Sequence, residues 1–247
     1  MQGEAGPPPR AGSLTVVGTG IALGQVTAQA LGALREADVV LAVIPDAAAM
    51  AHVAGICGEF VSLLPTYQLG RPRSETYTEM AERVMARVRE GRQVCFALYG
   101  HPGVLSMPAH IAMQTAREEG YPAEMLPGIS ADACIFADLG VDPGDDGVQS
   151  YVAEQFLRGK VWDPSTPLIL WQVGAVGEAE YCLEYSNLRL PELIERLVAV
   201  YGGSYEVVIY EAATLPMQVP RIERISLDEL ATARLTTLST LFVPPIA

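Results

Sequence analysis

Cysteine and histidine are scarce: the 247 residues include four cysteines and three histidines. Cys57, Cys95, Cys134 and Cys182 stand far apart, with no C-x-x-C pair and no zinc-type ligand cluster with nearby histidine, so no metal site is expected. The four are expected as reduced, buried small hydrophobes. Positive charge is short as well, with Lys+Arg 16 against Asp+Glu 29 and a formal net charge of −13. That balance argues against a surface built to lie along nucleic-acid phosphates or anionic lipid. No stretch approaches the roughly 18 uninterrupted apolar residues of a membrane span. The first dozen residues, rich in Gly, Pro and Ala, lack the apolar core of a signal peptide, so a loose start and a cytoplasmic location are expected. There is no internal repeat. What is abundant is apolar: 50% hydrophobic and 18% charged composition can bury a large core. A disordered or fibrous chain is excluded, and the length suits one large α/β domain or two small ones.

Along the chain, β-branched and helix-periodic segments alternate. Ser13–Val17 reads as a strand that meets Gly18-Thr19-Gly20, and Gln25–Ala37 carries Val26, Ala30, Leu34 and Ala37 at helical spacing. Val39–Ile44 is a second strand, after which Asp46 can cap an Ala-rich helix running toward Cys57. Glu59–Leu63 reads as a third strand and 65–72 as irregular. From Ser74 a long helix places Tyr77, Met80, Ala81, Val84, Met85 and Val88 on one face, and Gly91 supplies its stop. Gln93–Leu98 is the next strand, followed by a helix from about Pro108 to Glu119. This βα alternation, with Ala123–Leu126 as one more strand, favours a mainly parallel sheet with helices on both faces. Pro127-Gly128 is the expected hinge. Beyond it, Ser130–Leu139 and Pro191–Tyr201 read as helices, and Pro167–Val173, Glu206–Glu211 and Thr237–Val243 as strands.

Three segments could carry chemistry. The turn Gly18–Gly24 follows the first strand, where glycine lets a ligand approach the backbone. Its spacing, G-x-G-x-x-x-G, misses the dinucleotide fingerprint by one residue. Asp46, near the end of the second strand, stands where a ribose-binding acid would lie. The turn therefore either packs or binds a ligand, hydride transfer being the minor option. The second segment, Tyr99-Gly100-His101-Pro102-Gly103, sits at the C-terminal end of a parallel strand, where open α/β sheets bind ligands. His101 is more readily explained by a hydrogen bond within its own loop than by a ligand, and His52 and His110 as ordinary helix residues. The third segment gathers Tyr67, Arg71, Arg73 and Tyr77 within eleven residues of an acidic chain. A phenol beside a positive charge is a usable base, because that charge favours the phenolate. The alternative is a surface loop with Tyr77 packed as a core residue.

Taken together, Ser13-Leu14-Thr15-Val16-Val17-Gly18-Thr19-Gly20, Ala37-Asp38, Tyr99-Gly100-His101-Pro102-Gly103-Val104 and Met125-Leu126-Pro127-Gly128-Ile129-Ser130-Ala131 resemble the tetrapyrrole-methylase superfamily of S-adenosylmethionine-dependent methyltransferases. Within it the chain is most similar to the borosin peptide backbone α-N-methyltransferases. The carriers of that likeness are Tyr99–Gly103, Phe136-Ala137-Asp138-Leu139 with Asp142-Pro143, Gln149-Ser150-Tyr151, Trp171-Gln172-Val173-Gly174, and Ser239-Thr240 with Pro244-Pro245. The resemblance implies a two-lobed α/β (class III) methyltransferase fold, with a mainly parallel N-terminal sheet and a mixed C-terminal sheet. Its expected divisions are a flexible 1–12, an N-terminal lobe 13–127 and a C-terminal lobe 128–247, with the cofactor in the cleft between them. It further implies a homodimer acting on a peptide, with no nucleic-acid or membrane partner.

By the same resemblance, the cofactor positions are Tyr99, His101, Val104, Leu105, Ser130, Ala131, Gln172, Ala212 and Thr240, and the catalytic positions are Tyr67, Arg73 and Tyr77. A tyrosine usual slightly upstream is replaced at about Leu64. The chain stops two residues after Pro244-Pro245, so it resembles split members that methylate a separate precursor peptide in trans. The reaction fits the residues. An amide nitrogen is a poor nucleophile because its lone pair is delocalised, so the protein must align the groups and help remove the proton or stabilise the oxygen. Tyr77 is expected to accept the proton, Arg73 to lower its pKa or donate to the amide oxygen, and Tyr67 to orient the amide or share the proton relay. The alternatives are a small-molecule or tetrapyrrole methyltransferase of the same fold, and an inactive module that binds S-adenosylmethionine or a nucleotide.

Overall fold

A computed structural model describes residues 11–246. Of the expected loose start, 1–10 lies outside the described residues. The chain forms two compact units, one running through Ala131 and including Thr214–Pro216, the other made of Asp132–Ala213 and the chain from Met217 onward.

In the first unit the order is β1 (Ser13–Gly18), α1 (Ala28–Glu36), β2 (Val39–Val43), α2 (Ala47–Ala54), β3 (Phe60–Ser62), α3 (Arg73–Arg89), β4 (Gln93–Leu98), α4 (Met107–Glu118) and β5 (Ala123–Met125). The five strands form one parallel sheet in the order β3-β2-β4-β1-β5. Successive strand residues face opposite sides. Leu14, Val16, Leu41, Val94 and Phe96 therefore pack with Met80, Val84, Met85 and Val88 of α3 and Ala109, Ala112 and Met113 of α4. The intervening Val17, Val40, Ala42, Cys95 and Ala97 pack on the other side with Ala30 and Leu34 of α1 and Val53 of α2. Burial on both faces is why these strands read as unbroken apolar runs. Asp46 caps α2 as expected, its carboxylate accepting the Ala49 N–H at 2.8 Å.

The second unit adds α5 (Ala131–Leu139), α6 (Pro143–Asp146), β6 (Gln149–Val152), α7 (Ala153–Phe156), β7 (Leu168–Trp171), α8 (Leu190–Tyr201), β8 (Glu206–Glu211), β9 (Arg221–Ser226) and β10 (Thr240–Val243). Its sheet runs β6-β7-β10-β8-β9, with β6 parallel to β7 and the other pairs antiparallel. Leu168, Leu170, Val207, Ile209, Leu241 and Val243 bury one face against Leu193 and Leu197 of α8 and Phe156 of α7. The expected α/β class, with one parallel and one mixed sheet, is the observed one.

Several sequence expectations need correction. The helix expected from Gln25 starts at Ala28, because the Gln25 side chain folds back onto the backbone before it and Thr27 supplies the cap, accepting the Ala30 N–H at 3.1 Å. Strands β6 and β9 were not anticipated. Both lie at the edges of their sheet, and β9 carries Arg221, Glu223 and Arg224, the kind of charge that protects an open edge while hiding the strand pattern. Of the four cysteines, Cys95 alone is fully buried, and the other three are half-buried. Burial pushes the Cys95 thiol up to about 12, which keeps it protonated and unreactive. Iodoacetamide at pH 8 is therefore expected to leave Cys95 unmodified in the native protein and to label it only after unfolding, as read by peptide mass spectrometry.

Candidate functional site

The backbone after β1, β4 and β5 converges at three glycines. Gly100, at the end of β4, approaches so closely that a Cβ on Gly18 would strike the Gly100 carbonyl oxygen and come within 2.8 Å of Pro102 Cδ and 3.2 Å of Gly128 Cα. Gly20 and Gly100 exchange backbone hydrogen bonds, the Gly100 N–H donating to Gly20 O at 2.9 Å. Four further amides of the turn are also spent. Thr19 N–H donates to Leu98 O, Ile21 and Ala22 N–H both donate to Gln25 Oε1 at 2.8 and 2.9 Å, and Leu23 N–H donates to Thr214 O. A phosphate cradle needs those donors free. The glycine turn is thus a buttress for the Tyr99–Gly103 loop, and its hydride-transfer reading fails. Asp46, the ribose-binding candidate of that reading, is occupied as a helix cap.

The loop itself is held by two histidines. His101 Nδ1 accepts the Gly103 N–H at 2.9 Å, the within-loop bond anticipated for it, and His110 Nε2 lies 3.0 Å from Gly103 O. His110 is on α4 as expected, and its contact with the loop was not foreseen. An accepting Nδ1 belongs to the tautomer that carries its proton on Nε2. Beyond Gly103 the chain exposes Val104 and Leu105, 38% and 51% accessible, and Leu105 has a φ of 52°. Tyr99 is half-buried, with its N–H donated to Val43 O at 3.1 Å. Ser130 is buried just before α5, and Ala131 begins that helix.

Tyr67 and Tyr77 come together near the start of α3, whose first residue is Arg73. A 3₁₀ turn, Leu64–Thr66, precedes Tyr67 and is tied by Thr66 Oγ1 donating to Leu63 O at 2.7 Å; Leu64 lies half-buried within it. The Tyr67 and Tyr77 rings meet edge to face, their centroids 6.4 Å apart at 89°. Both are half-buried against the core. Arg73 opens the helix, one residue earlier than expected, and at i,i+4 from Tyr77 it shares that residue's face. Arg71 has a different task. It pairs with Glu79 and lies 3.7 Å from Glu75, clamping the preceding loop onto the helix. Among the described residues no group of three or more His, Cys, Asp or Glu could hold a metal ion, and no helix is long and apolar enough to cross a membrane.

The remaining three candidates lie in the second unit. Gln172 follows β7 with a φ of 58° and leads into a 3₁₀ turn, Val173–Ala175. Ala212 follows β8, and Thr240 opens β10 opposite Tyr210. Three non-glycine residues among those described have positive φ, namely Leu105, Gln172 and Asn187. Two of these are candidate cofactor positions, and backbone held in this sparsely populated region concentrates at ligand sites. Sequence reasoning missed Gln25 and Glu211. The signal for Glu211 was an acid ending the otherwise apolar run Val207–Tyr210.

Comparison with known proteins agrees with this architecture. A family model described as Tetrapyrrole (Corrin/Porphyrin) Methylases matches residues 13–231. The chain is 40% identical over 243 residues to a "methyltransferase/ribosomally synthesized cyclic peptide gymnopeptides precursor" of Gymnopus fusipes, covering 96% of this chain and 58% of that protein. It is also 40% identical over 245 residues to the corresponding omphalotin A precursor of Omphalotus olearius, covering 96% and 59%. A type I borosin cyclic peptide precursor of Coprinopsis marcescibilis is 40% identical over 248 residues, with 97% and 63% covered. The chain thus spans about three-fifths of the length of these relatives. Among solved structures, the uroporphyrin-III-C-methyltransferase of Thermus thermophilus superposes with a TM-score of 0.67 at 20% identity, covering 95% of this chain and 92% of that one. A cobalt precorrin-4 methyltransferase gives 0.65 at 17%, with 94% of each covered. Those two likenesses concern the fold. With a parallel and a mixed five-stranded sheet, a buttressed loop after β4 and a family match over most of its length, this chain belongs to the tetrapyrrole (corrin/porphyrin) methylases.

Proposed function

We propose that the chain is a methyltransferase that moves methyl groups from S-adenosylmethionine to backbone amide nitrogens of a peptide. The observation that carries this reading is the set at the start of α3, two phenols in edge contact with an arginine one helical turn from the second. The names of the fused relatives, which join a methyltransferase to a cyclic peptide precursor, support the choice of substrate. The resemblance of the sequence motifs supports a homodimer.

The residues suit the cofactor. S-adenosylmethionine joins a cationic sulfonium centre to polar amino-acid and nucleoside ends. In the first unit, Val104 and Leu105 are exposed apolar side chains just past the loop that His101 holds. When bound, the cofactor supplies an electrophilic sulfonium methyl. The chain's own part is to hold the amide and manage its charge. Arg73 donates to the amide oxygen as negative charge gathers there. Tyr77, acting as a phenolate, would take the amide proton, directly or through one water, leaving the nitrogen able to accept the methyl. Tyr67, against the Tyr77 ring, fixes the angle of the approaching main chain.

The test is incubation of the protein with S-adenosylmethionine and a separate peptide ending in an apolar, β-branched stretch. Mass increments of one methyl each are expected, placed on backbone nitrogens by fragmentation. Methylation of a tetrapyrrole with none of the peptide would overturn the substrate assignment. Absence of cofactor binding by calorimetry would overturn the methyltransferase reading as well.

A further inference from the structure

Glu206–Glu211 is an apolar strand ended by an acid, and that acid is not a surface charge: the Glu211 side chain is 19% accessible. A single oxygen, Oε1, accepts three hydrogen bonds, from Ser239 Oγ at 2.6 Å, Thr236 Oγ1 at 2.9 Å and Arg221 Nη1 at 2.9 Å. Each hydroxyl is in turn an acceptor for the backbone. Thr236 N–H donates to Ser239 Oγ at 2.8 Å, and Leu238 N–H donates to Thr236 Oγ1 at 3.2 Å. Ser239 N–H closes the turn onto Thr236 O at 3.0 Å. The direction of each hydroxyl is therefore set by the carboxylate, and the turn 236–239 is closed around it. Burial by itself would push the Glu211 carboxyl up, but the two hydroxyls and Arg221 outweigh it and hold it below the usual carboxylate range.

Three segments meet at this point. The 236–239 turn delivers Thr240 into β10, and Ala212 directly follows Glu211. Gly174, two residues after Gln172, packs so tightly on the turn that a Cβ there would lie 2.5 Å from the Thr236 carbonyl carbon. We infer that Glu211 is a positioning residue for cofactor binding, gathering the backbone that presents Gln172, Ala212 and Thr240 around one carboxylate oxygen. This rests on the methyltransferase reading above. It assigns Glu211 no contact with the reacting atoms.

The experiment compares Glu211→Ala and Glu211→Gln in the full chain by three measurements. Amide hydrogen exchange of 236–239 without cofactor reads the turn itself. Calorimetric titration reads S-adenosylmethionine affinity, and steady-state kinetics separate KM from kcat. Charge-assisted hydrogen bonds of this kind correspond to about ten- to hundredfold in a binding constant. Glu211→Ala is expected to speed exchange of 236–239 and to raise Kd and KM for S-adenosylmethionine by about tenfold or more. Its kcat is expected to stay within about threefold of wild type, because no group that acts in the transition state is removed. Glu211→Gln keeps an accepting oxygen and is expected to restore most of the affinity, which a merely folding-related defect would not allow. If Glu211→Ala does not fold, Ser239→Ala, which deletes one hydroxyl, carries the same comparison. Unchanged affinity in a folded variant, or wild-type exchange at 236–239, overturns the inference. A wild-type protein that binds no S-adenosylmethionine overturns the underlying reading instead, so the two failures are distinguishable.

Discussion

Gly18→Ala is expected to abolish S-adenosylmethionine binding and to cost the protein about 3 kcal/mol or more of stability, at or above the upper end of ordinary overpacking. The added methyl would strike the Gly100 carbonyl and meet Pro102 and Gly128 at 2.8 and 3.2 Å. Two of these three partners are backbone, which cannot swing aside as a side chain can. Gly18 cannot retreat either, since β1 lies between β4 and β5 with hydrogen bonds to both. The element left to move is the loop that carries His101, Val104 and Leu105. Gly32→Ala is the control. Gly32 lies mid-way along α1 with no atom within 4 Å of an added Cβ, so it should gain up to about 1 kcal/mol from helix propensity. Urea unfolding and calorimetry together check both. Wild-type stability and affinity in Gly18→Ala would show that the three loops do not depend on this contact.

The second large effect falls on chemistry. Tyr77→Phe and Arg73→Ala should each retain S-adenosylmethionine affinity while losing methyl transfer by about 10²- to 10⁴-fold, the range set by losing a general base or a donor to developing charge. Tyr77→Phe keeps the ring that stacks edge-on with Tyr67 and packs on the core, so its loss would isolate the hydroxyl. Arg73→Lys is expected to rescue little, because a point charge does not reproduce the fork of donors that a guanidinium offers a planar amide. The readout is methyl increments on the peptide under saturating cofactor. Wild-type turnover in both variants would remove these residues from the catalytic step.

Much of the first unit was legible because its signals are local. Apolar runs of strand length alternate with helices whose buried stripe recurs every three to four residues, as in Met80, Val84 and Val88 of α3. Asp46 marked a helix start by a bond only three residues long. The second unit was less legible at its edges, where β6 and β9 each pair with a single strand and their own residues do not alternate cleanly. The candidate site was legible as motifs, since Tyr67, Arg73 and Tyr77 fall within one short stretch and the loop after β4 is rich in Gly and Pro. The roles of their supports were not. Gln25 occupying the turn's amides and Glu211 gathering Thr236, Ser239 and Arg221 are choices among many chemically equivalent residues.

By itself, then, the amino-acid order determined the α/β class, the βα alternation of the first unit and the identity of the motifs, because periodicity, capping and turn chemistry act over a few residues. Only the tertiary structure decided how Gly18–Gly20 supports a loop, with its amides already bonded to other atoms of the chain. Whether an amide is free for a ligand depends on which distant atom already accepts its proton, and Leu98, Gly100 and Thr214 lie about 80 to 190 residues along the chain from the turn.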